Sequence, residues 1–455
     1  MAALLKEYLG YSTPACREIS PHVYHNKLQI RPRTDHIEDG ATGSALVIKT
    51  MTRNQISFLF LNVGHFLDHL FVLIFATVAA LALSTEWQMS YAELIIYATP
   101  GFIAFGVCAI PAGWIADKWS RPGMLAIFFI GIGASALLTA LAQTPLQIAI
   151  GLLLIGIFAA IYHPVGIAMV IHGRQKTGVP LAVNGIFGNM GVACAALFTG
   201  ALIDLLGWRW AFALPGAISV LIGVVYALFV HSGRTDQAQD KQDVGPVATT
   251  GFTVEQSVLV RVFAIIFFST AIGGLIFQST TFSLPKVFAE RLLDLASTAT
   301  LVGWYAFVVF AVAAFAQLVV GYLVDHYSIR TVFAFVAGLQ AVFFALMYNL
   351  TGPWALVVSV AFMLVVFGQI PINDVLVGRI TRSEWRSRVY AFRYIVTFVV
   401  SASAVPLIAW VHSSWGFAAL FMVMALAAAS IFAAVLALPH TSVVSGEASR
   451  AAAAD

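Results

Sequence analysis

Long apolar segments alternate with short polar connections along most of this 455-residue chain. About twelve of these segments approach the roughly 20 residues that an α-helix needs to cross the hydrocarbon of a bilayer. They span approximately residues 56–83, 91–114, 124–142, 146–170, 178–205, 209–230, 260–284, 297–322, 331–350, 354–378, 388–411 and 415–438. Polar residues do not alternate with apolar ones as in a membrane β-strand, so the pattern predicts an all-α membrane protein with twelve transmembrane helices.

Polar stretches divide the chain into two halves of six predicted helices each. The longest interruption, residues 231–258, predicts a flexible cytoplasmic linker between a bundle at 54–230 and a bundle at 259–439. Residues 1–53 and 440–455 are expected to form polar cytoplasmic tails, because they lack an apolar stretch of membrane-spanning length.

Composition narrows the class of protein. Hydrophobic residues make up 60% of the chain and charged residues only 10%, a balance that excludes a soluble globular domain of this size. Three cysteines are too few for a disulfide framework. The sequence has no glycine-rich phosphate loop ending in Lys-Ser or Lys-Thr, which argues against ATP as the energy source. We therefore expect neither an enzyme nor a resident cofactor, metal or nucleic-acid partner.

Lysine and arginine residues are distributed unevenly between the two sides of the predicted bundle. Of the 24, only Arg209, Lys286 and Arg291 fall on the side opposite the chain termini. Because cytoplasmic loops are enriched in these residues, both termini are predicted to be cytoplasmic, in a bacterial-type inner membrane. On the opposite side, Arg209 is expected to pair with Asp204.

A short motif follows the second predicted helix and recurs after the eighth. The first copy contains Gly113, Asp117, Lys118 and Arg121, and the second contains Gly321, Asp325 and Arg330. The repeat indicates two pseudo-symmetric six-helix bundles. The glycine allows two helices to approach closely, and the charged residues can pair with a helix end to latch a cytoplasmic gate.

The first copy, G-x-x-x-D-K-x-x-R, resembles the best-known motif of the major facilitator superfamily (MFS) and stands at the position expected for it. This resemblance implies the MFS fold, a central cavity for a small-molecule solute, and a monomer. Within the superfamily, Tyr162-His163-Pro164, Gly188-Asn189-x-Gly191 and the stretch from Gly64 to Asp68 are similar to the fosmidomycin-resistance branch of drug exporters. The similarity to this branch covers most of the first half of the chain and much less of the second.

Polar side chains within the predicted membrane helices are candidates for function, because burying a charge in a bilayer is costly. The first helix carries Asn62, His65, Asp68 and His69 along one face. The fourth helix carries Tyr162 and His163 at a matching depth in the membrane. A neighbouring carboxylate favours protonated histidine, whereas burial favours the neutral form. We therefore hypothesise that Asp68, His65 and His163 couple transport to proton movement. Histidines beside an aspartate also suggest a transition-metal site, which the lack of cysteine or methionine ligands at matched spacing disfavours.

The second half carries a polar group toward its predicted cytoplasmic end. Gln369, Asn373 and Asp374 lie near the end of the tenth helix, and Arg393 about one turn into the eleventh. An Asp374–Arg393 pair is expected either to open as a gate or to persist as a static bridge, and Arg393 is alternatively a ligand for an anionic substrate. Gln278 on the seventh helix is a further candidate, although a hydrogen bond between helices also explains it.

These features favour a secondary transporter that exports a small organic or drug-like solute in exchange for protons by alternating access. Proton-coupled uptake of an organic acid or nutrient is the first alternative, because the sequence indicates the fold better than the direction of transport. A transporter of a transition metal or metal chelate, or a membrane sensor, remains as a further alternative.

Overall fold

This computed structural model describes residues 51–174, 178–232, 256–381 and 383–438, and the regular structure within them is helical. Most of the predicted N-terminal tail and linker, and all of the predicted C-terminal tail, lie outside these residues. The first half comprises α1 to α6, at Arg53–Glu86, Tyr91–Lys118, Arg121–Ala140, Pro145–Ile171, Gly178–Leu206 and Trp208–Ser232.

The second half continues with α7 to α10, at Gln256–Arg291, Ala299–His326, Ile329–Leu346 and Gly352–Ile380. Helical residues then cover most of 383–436. By length and apolar composition, the described residues contain eleven candidates for membrane crossing, and the last is a 41-residue run, Val396–Leu436.

The last run reverses direction at Gly416. Its φ of 75° and ψ of −175° are non-helical, and glycine adopts such a φ without a side-chain clash. Before the reversal, Phe398 packs on the middle of α2. On either side of the reversal, His412 and Phe417 both contact Tyr91 at the start of α2. The run therefore contains two antiparallel helices, α11 (383–415) and α12 (417–436), and the prediction of an all-α fold with twelve membrane helices is confirmed.

The two ends of the bundle are defined by contacts of α1 with α6. At the start of α1, Arg53 donates a hydrogen bond to the Phe229 carbonyl oxygen near the end of α6, at 2.7 Å. At the end of α1, the Trp208 indole at the start of α6 donates to Glu86, also at 2.7 Å. We call the first the terminal end of the bundle and the second the opposite end.

Hydroxyl side chains begin several helices by capping exposed backbone N–H groups. The Thr52 hydroxyl before α1 accepts a hydrogen bond from the Gln55 N–H. Thr144 before α4 and Thr298 before α8 likewise accept from the N–H three residues further on. Pro145 follows in the first turn of α4, where its missing N–H leaves no unpaired donor. Local sequence thus sets where these helices begin, whereas packing decides which faces meet.

Small residues bring α5 into backbone contact with both halves. A Cβ added at Gly191 would lie 2.1 Å from the Phe66 carbonyl oxygen of α1, and one at Gly200 would lie 2.2 Å from the Ala299 carbonyl oxygen of α8. Glycine allows this approach, which provides van der Waals packing where lipid supplies no hydrophobic driving force between helices. The helix α5 therefore lies at the boundary between the halves.

Candidate functional site

The polar residues predicted on α1 face the interior of the first half. Asp68 lies near the middle of the 34-residue α1 and is fully buried. Asn62 and His65 are also buried, and His69 is half-buried. A buried aspartate in a membrane helix is costly unless it is protonated or paired, so its partners define the site.

An interruption of α4 accompanies the placement of Tyr162 and His163 against this face. Residues 160 and 161 separate its two helical segments. Pro164 lacks the N–H that would bond to the Ala160 carbonyl oxygen, and its ring crowds that oxygen, which explains a break at this point. The α2 residue Gly113 packs on Pro164, where an added Cβ would lie 3.3 Å from the proline side chain.

Asp68 and His163 lie in contact at the centre of the site. Oδ2 of Asp68 lies 3.3 Å from Nδ1 of His163. The ring centroids of His65, His69 and His163 are 5.0, 5.4 and 5.5 Å apart, so the three imidazoles form a triangle. One nitrogen from each histidine lies within 4.8 Å of the other two. The structure therefore brings together all four ionisable residues that were predicted on α1 and α4.

Asn184 of α5 joins this cluster to the rest of the half. Its backbone carbonyl oxygen lies 2.8 Å from Nδ1 of His65. Its side-chain amide nitrogen donates to the Tyr162 hydroxyl at 2.9 Å and to Asn62 Oδ1 at 3.1 Å. Tyr162 in turn donates to the Leu61 carbonyl oxygen at 2.7 Å. Sequence reasoning did not place Asn184 in the site, because a single asparagine in an apolar segment equally suits ordinary helix packing.

The His65 ring is held between two neighbours. Tyr162 stacks on one side, with ring centroids 4.9 Å apart. On α5, a Cβ added at Gly188 would lie 2.6 Å from Nε2 of His65. Only glycine leaves room for the ring here, so Gly188 positions His65 through the absence of its own side chain.

His163 also faces the second half of the protein. Its ring lies 5.1 Å from that of Phe398 in α11 and 5.7 Å from that of Phe105 in α2, measured between centroids. Phe105 and Phe398 contact each other at 4.8 Å. The cluster of His65, Asp68, His69 and His163, called the histidine cluster below, therefore borders the interface between the halves.

The predicted pair of Asp374 and Arg393 is present in the second half, with the guanidinium against the carboxylate. The Arg393 side chain is 7% exposed and that of Asp374 is 37% exposed. The expectation that Arg393 lies one turn into its helix is wrong. Because polar residues extend α11 back to Ser383, Arg393 lies about 15 Å from the helix start at 1.5 Å per residue.

The other polar residues predicted in the second half are also buried. Ser269 of α7 donates to Asn373 Oδ1 of α10 at 3.1 Å. Gln369 lies against Gly273 of α7, where an added Cβ would be 2.8 Å from the amide nitrogen. Gln278 is 9% exposed on α7. The contacts of Asn373 and Gln369 join α7 to α10, and a role of these residues in solute binding stays a prediction.

The two copies of the repeated motif lie at the terminal end of the bundle. In the first, Arg121 donates to one Asp117 oxygen from two nitrogens, at 2.8 and 3.1 Å, across the turn from α2 to α3, and Lys118 ends α2. The second copy places Gly321 and Asp325 in the last turns of α8 and Arg330 in the first turn of α9. A gating role for either copy stays a prediction.

Asp204 joins the halves at the opposite end. Its carboxylate accepts hydrogen bonds from the Thr300 N–H and hydroxyl, at 2.7 and 2.6 Å, in the first turn of α8. Arg209 instead contacts Glu86, at 3.3 Å. The expected Arg209–Asp204 pair is therefore wrong, because folding places the end of α1 beside Arg209 and the start of α8 beside Asp204.

The sequence profile of the Major Facilitator Superfamily matches residues 61–297 and 287–454 of this chain. The puromycin resistance protein pur8 of Streptomyces alboniger is 27% identical over 139 residues, and the quinolone resistance protein NorB of Staphylococcus aureus is 31% identical over 135 residues. These alignments cover 30% and 29% of this chain and only 28% of each relative.

Solved structures share the architecture over almost the whole chain. A bacterial homologue of the human lysosomal transporter Spinster, in an inward-facing and unoccupied conformation, has a TM-score of 0.62 at 15% identity and covers 87% of this chain and 96% of its own. A mutant of the peptide transporter POT in complex with sulfate has a TM-score of 0.65 at 14% identity, with coverages of 86% and 98%. At these identities the likeness shows the fold alone.

Proposed function

Because the chain belongs to the major facilitator superfamily, we propose that it exports a small organic solute in exchange for protons. The family and the fold make the protein a membrane transporter and not an enzyme. The observation that carries the proposal is the 3.3 Å contact between the fully buried Asp68 and His163, inside a membrane half-bundle and beside its partner half.

Export of a drug-like compound is supported by the relatives. Both are named for resistance, one to puromycin and one to quinolones. The similarity of Tyr162-His163-Pro164 and the α5 glycines to the fosmidomycin-resistance branch supports the same direction. The aromatic rings of Phe105 and Phe398 beside His163 would suit an amphipathic solute at the interface between the halves.

Proton coupling follows from the position of the histidine cluster. A buried carboxylate is stabilised by a proton or by an adjacent cation. Since His163 packs on Phe398 of the second half, rocking of one half against the other changes how much water reaches His163 and Asp68. A proton taken up when the cluster faces one side and released when it faces the other would drive the solute in the opposite direction.

Alternating access requires that contacts at each end open in turn. At the opposite end, the Asp204 and Thr300 contact would have to break for that end to open. At the terminal end, the repeated motif around Asp117 is the proposed gate. The distribution of lysine and arginine supports assigning the terminal end to the cytoplasm. The protein is proposed to act as a monomer in the inner membrane.

Solute-dependent proton movement in proteoliposomes tests the proposal. A panel of puromycin, quinolones, phosphonate antibiotics and organic acids would be added outside while external pH is recorded, with wild type and Asp68→Asn compared. Exchange of external solute for internal protons acidifies the medium, whereas co-transport makes it alkaline and would support uptake instead. Absence of proton movement while the solute itself is transported would overturn the coupling.

A further inference from the structure

Three imidazoles in the first half are arranged as ligands of a single ion. His65 and His69 lie one turn apart on α1, and His163 approaches them from α4. One nitrogen of each is within 4.8 Å of the other two. In a tetrahedral site with Zn–N bonds of about 2.0–2.1 Å, ligand nitrogens are about 3.4 Å apart, so small rotations of the side chains would complete the geometry.

Neighbouring groups orient two of the rings for this role. Nδ1 of His65 lies 2.8 Å from the Asn184 carbonyl oxygen, which can only accept, so Nδ1 carries the hydrogen and Nε2 keeps its lone pair. The Asp68 carboxylate lies 3.3 Å from Nδ1 of His163, where a small rotation would let Nδ1–H donate to it. In a metal-bound histidine, the ring nitrogen that does not bind the metal usually donates a hydrogen bond to a carbonyl or carboxylate oxygen. This bond fixes the tautomer and raises the basicity of the nitrogen that binds the metal.

Asp68 provides an independent indication of a bound cation. It is fully buried, and apart from the ion contact with His163 neither of its oxygens has a hydrogen-bond donor among the described residues. A carboxylate in this position is costly to bury. A divalent cation held by the adjacent imidazoles would compensate its charge, since the imidazoles themselves are neutral as ligands.

We propose that His65, His69 and His163 bind a divalent transition-metal ion such as Zn²⁺, with Asp68 as the outer partner of His163. Imidazole nitrogens suit zinc, cobalt, nickel and copper, whereas magnesium and calcium prefer oxygen ligands. Three protein ligands leave a fourth position for water or for a donor atom of a solute. The site shares His163 and Asp68 with the proposed proton coupling, but zinc binding can be measured whether or not the protein exports a solute.

Titration with zinc tests the site in the purified full-length protein. The reference protein carries no polyhistidine tag and has His22, His25 and His36 replaced by alanine, so that its first 50 residues do not contribute histidine ligands. We expect about one tight zinc site per chain by isothermal titration calorimetry.

His69→Ala and His163→Ala should each weaken binding by at least about tenfold, and Asp68→Asn by about 10- to 100-fold. His326→Ala and His412→Ala, which alter histidines outside the cluster, should leave binding unchanged.

The absorption spectrum of bound Co²⁺ gives a test that needs no variant within the cluster. Tetrahedral Co²⁺ absorbs visible light strongly and octahedral Co²⁺ weakly, so the reference protein should develop a strong band that zinc abolishes. A weak band, no zinc binding, or binding that is unchanged by both His69→Ala and His163→Ala would each overturn the site. None of these results changes the proton-exchange measurement above, so the two proposals can fail separately.

Discussion

Asp68 in the middle of α1 and His163 just after the interruption of α4 approach to 3.3 Å, with the carboxylate fully buried. The contact depends on the break before Pro164, which places His163 in the first turn of a new helical segment. It also lies next to Phe398 of the second half. Movement between the halves would therefore act directly on the environment of this pair.

Asp68→Asn is expected to abolish pH-driven solute exchange, because the amide keeps the size of the side chain and loses its negative charge. We expect at least about a hundredfold loss of initial rate, the lower end of what one residue that acts in proton transfer typically contributes. The measurement is solute flux at a fixed pH gradient, normalised to protein in the membrane. Asp294→Asn, an exposed carboxylate between α7 and α8, is the matched control and should keep wild-type rates. Wild-type flux in Asp68→Asn would refute the coupling role.

Gly188→Ala should disturb the site, whereas Gly185→Ala on the same helix should not. The new methyl group would lie 2.6 Å from Nε2 of His65 at position 188, whereas at position 185 no atom of the described residues outside the adjacent α5 backbone lies within 4 Å of it. Overpacking of this kind typically lowers the free energy of unfolding by about 1–3 kcal/mol. Thermal unfolding in detergent and transport rate would be compared for both variants. Equal behaviour of the two would show that His65 is not held tightly against α5.

Asp204→Ala should favour opening of the bundle at the opposite end. The variant loses both hydrogen bonds to Thr300, and a side-chain cap of this kind is worth about 0.5–2 kcal/mol. The reporter of opening is a single cysteine, Ala196→Cys, in a chain whose Cys16, Cys108 and Cys194 are replaced by serine. This position lies in the buried contact of α5 with Gly303 of α8.

A membrane-impermeant maleimide should label this cysteine several-fold faster when Asp204→Ala is also present. Asp294→Ala is the control for loss of a nearby carboxylate that does not join the halves. Unchanged labelling with Asp204→Ala would mean that the carboxylate does not contribute to closing this end.

Asp374→Asn should destabilise the protein more than Arg393→Gln does. The first substitution removes one carboxylate from a guanidinium that is only 7% exposed, whereas the second removes the guanidinium from a carboxylate that is 37% exposed. Removing one partner of a buried pair typically lowers the free energy of unfolding by about 3–5 kcal/mol. The loss in Arg393→Gln, which keeps the partly exposed carboxylate, should fall below that range. Midpoints of thermal unfolding in detergent give the order, and the reverse order would contradict the burial argument.

Local features of the chain are enough to predict the helices and the class of site. Apolar runs of bilayer length and the repeated glycine and aspartate motif are local features, so they can be read without knowing which helices touch. The cost of placing Asp68 and His163 in lipid is also local, because it depends on each side chain and its depth. These signals were sufficient to predict twelve helices in two halves and a polar cluster on α1 and α4.

Packing of the helices determines which of these groups meet. The approach of the three imidazoles to one another, the Asn184 contacts and the space at Gly188 arise from packing of α1 against α4 and α5, which lie far from α1 in the chain. The partner of Arg209 was mispredicted for the same reason, since proximity in sequence favoured Asp204 while folding supplied Glu86. Periodicity identifies the polar face of a helix, but the rotation and translation of neighbouring helices determine whether two such faces form a binding site.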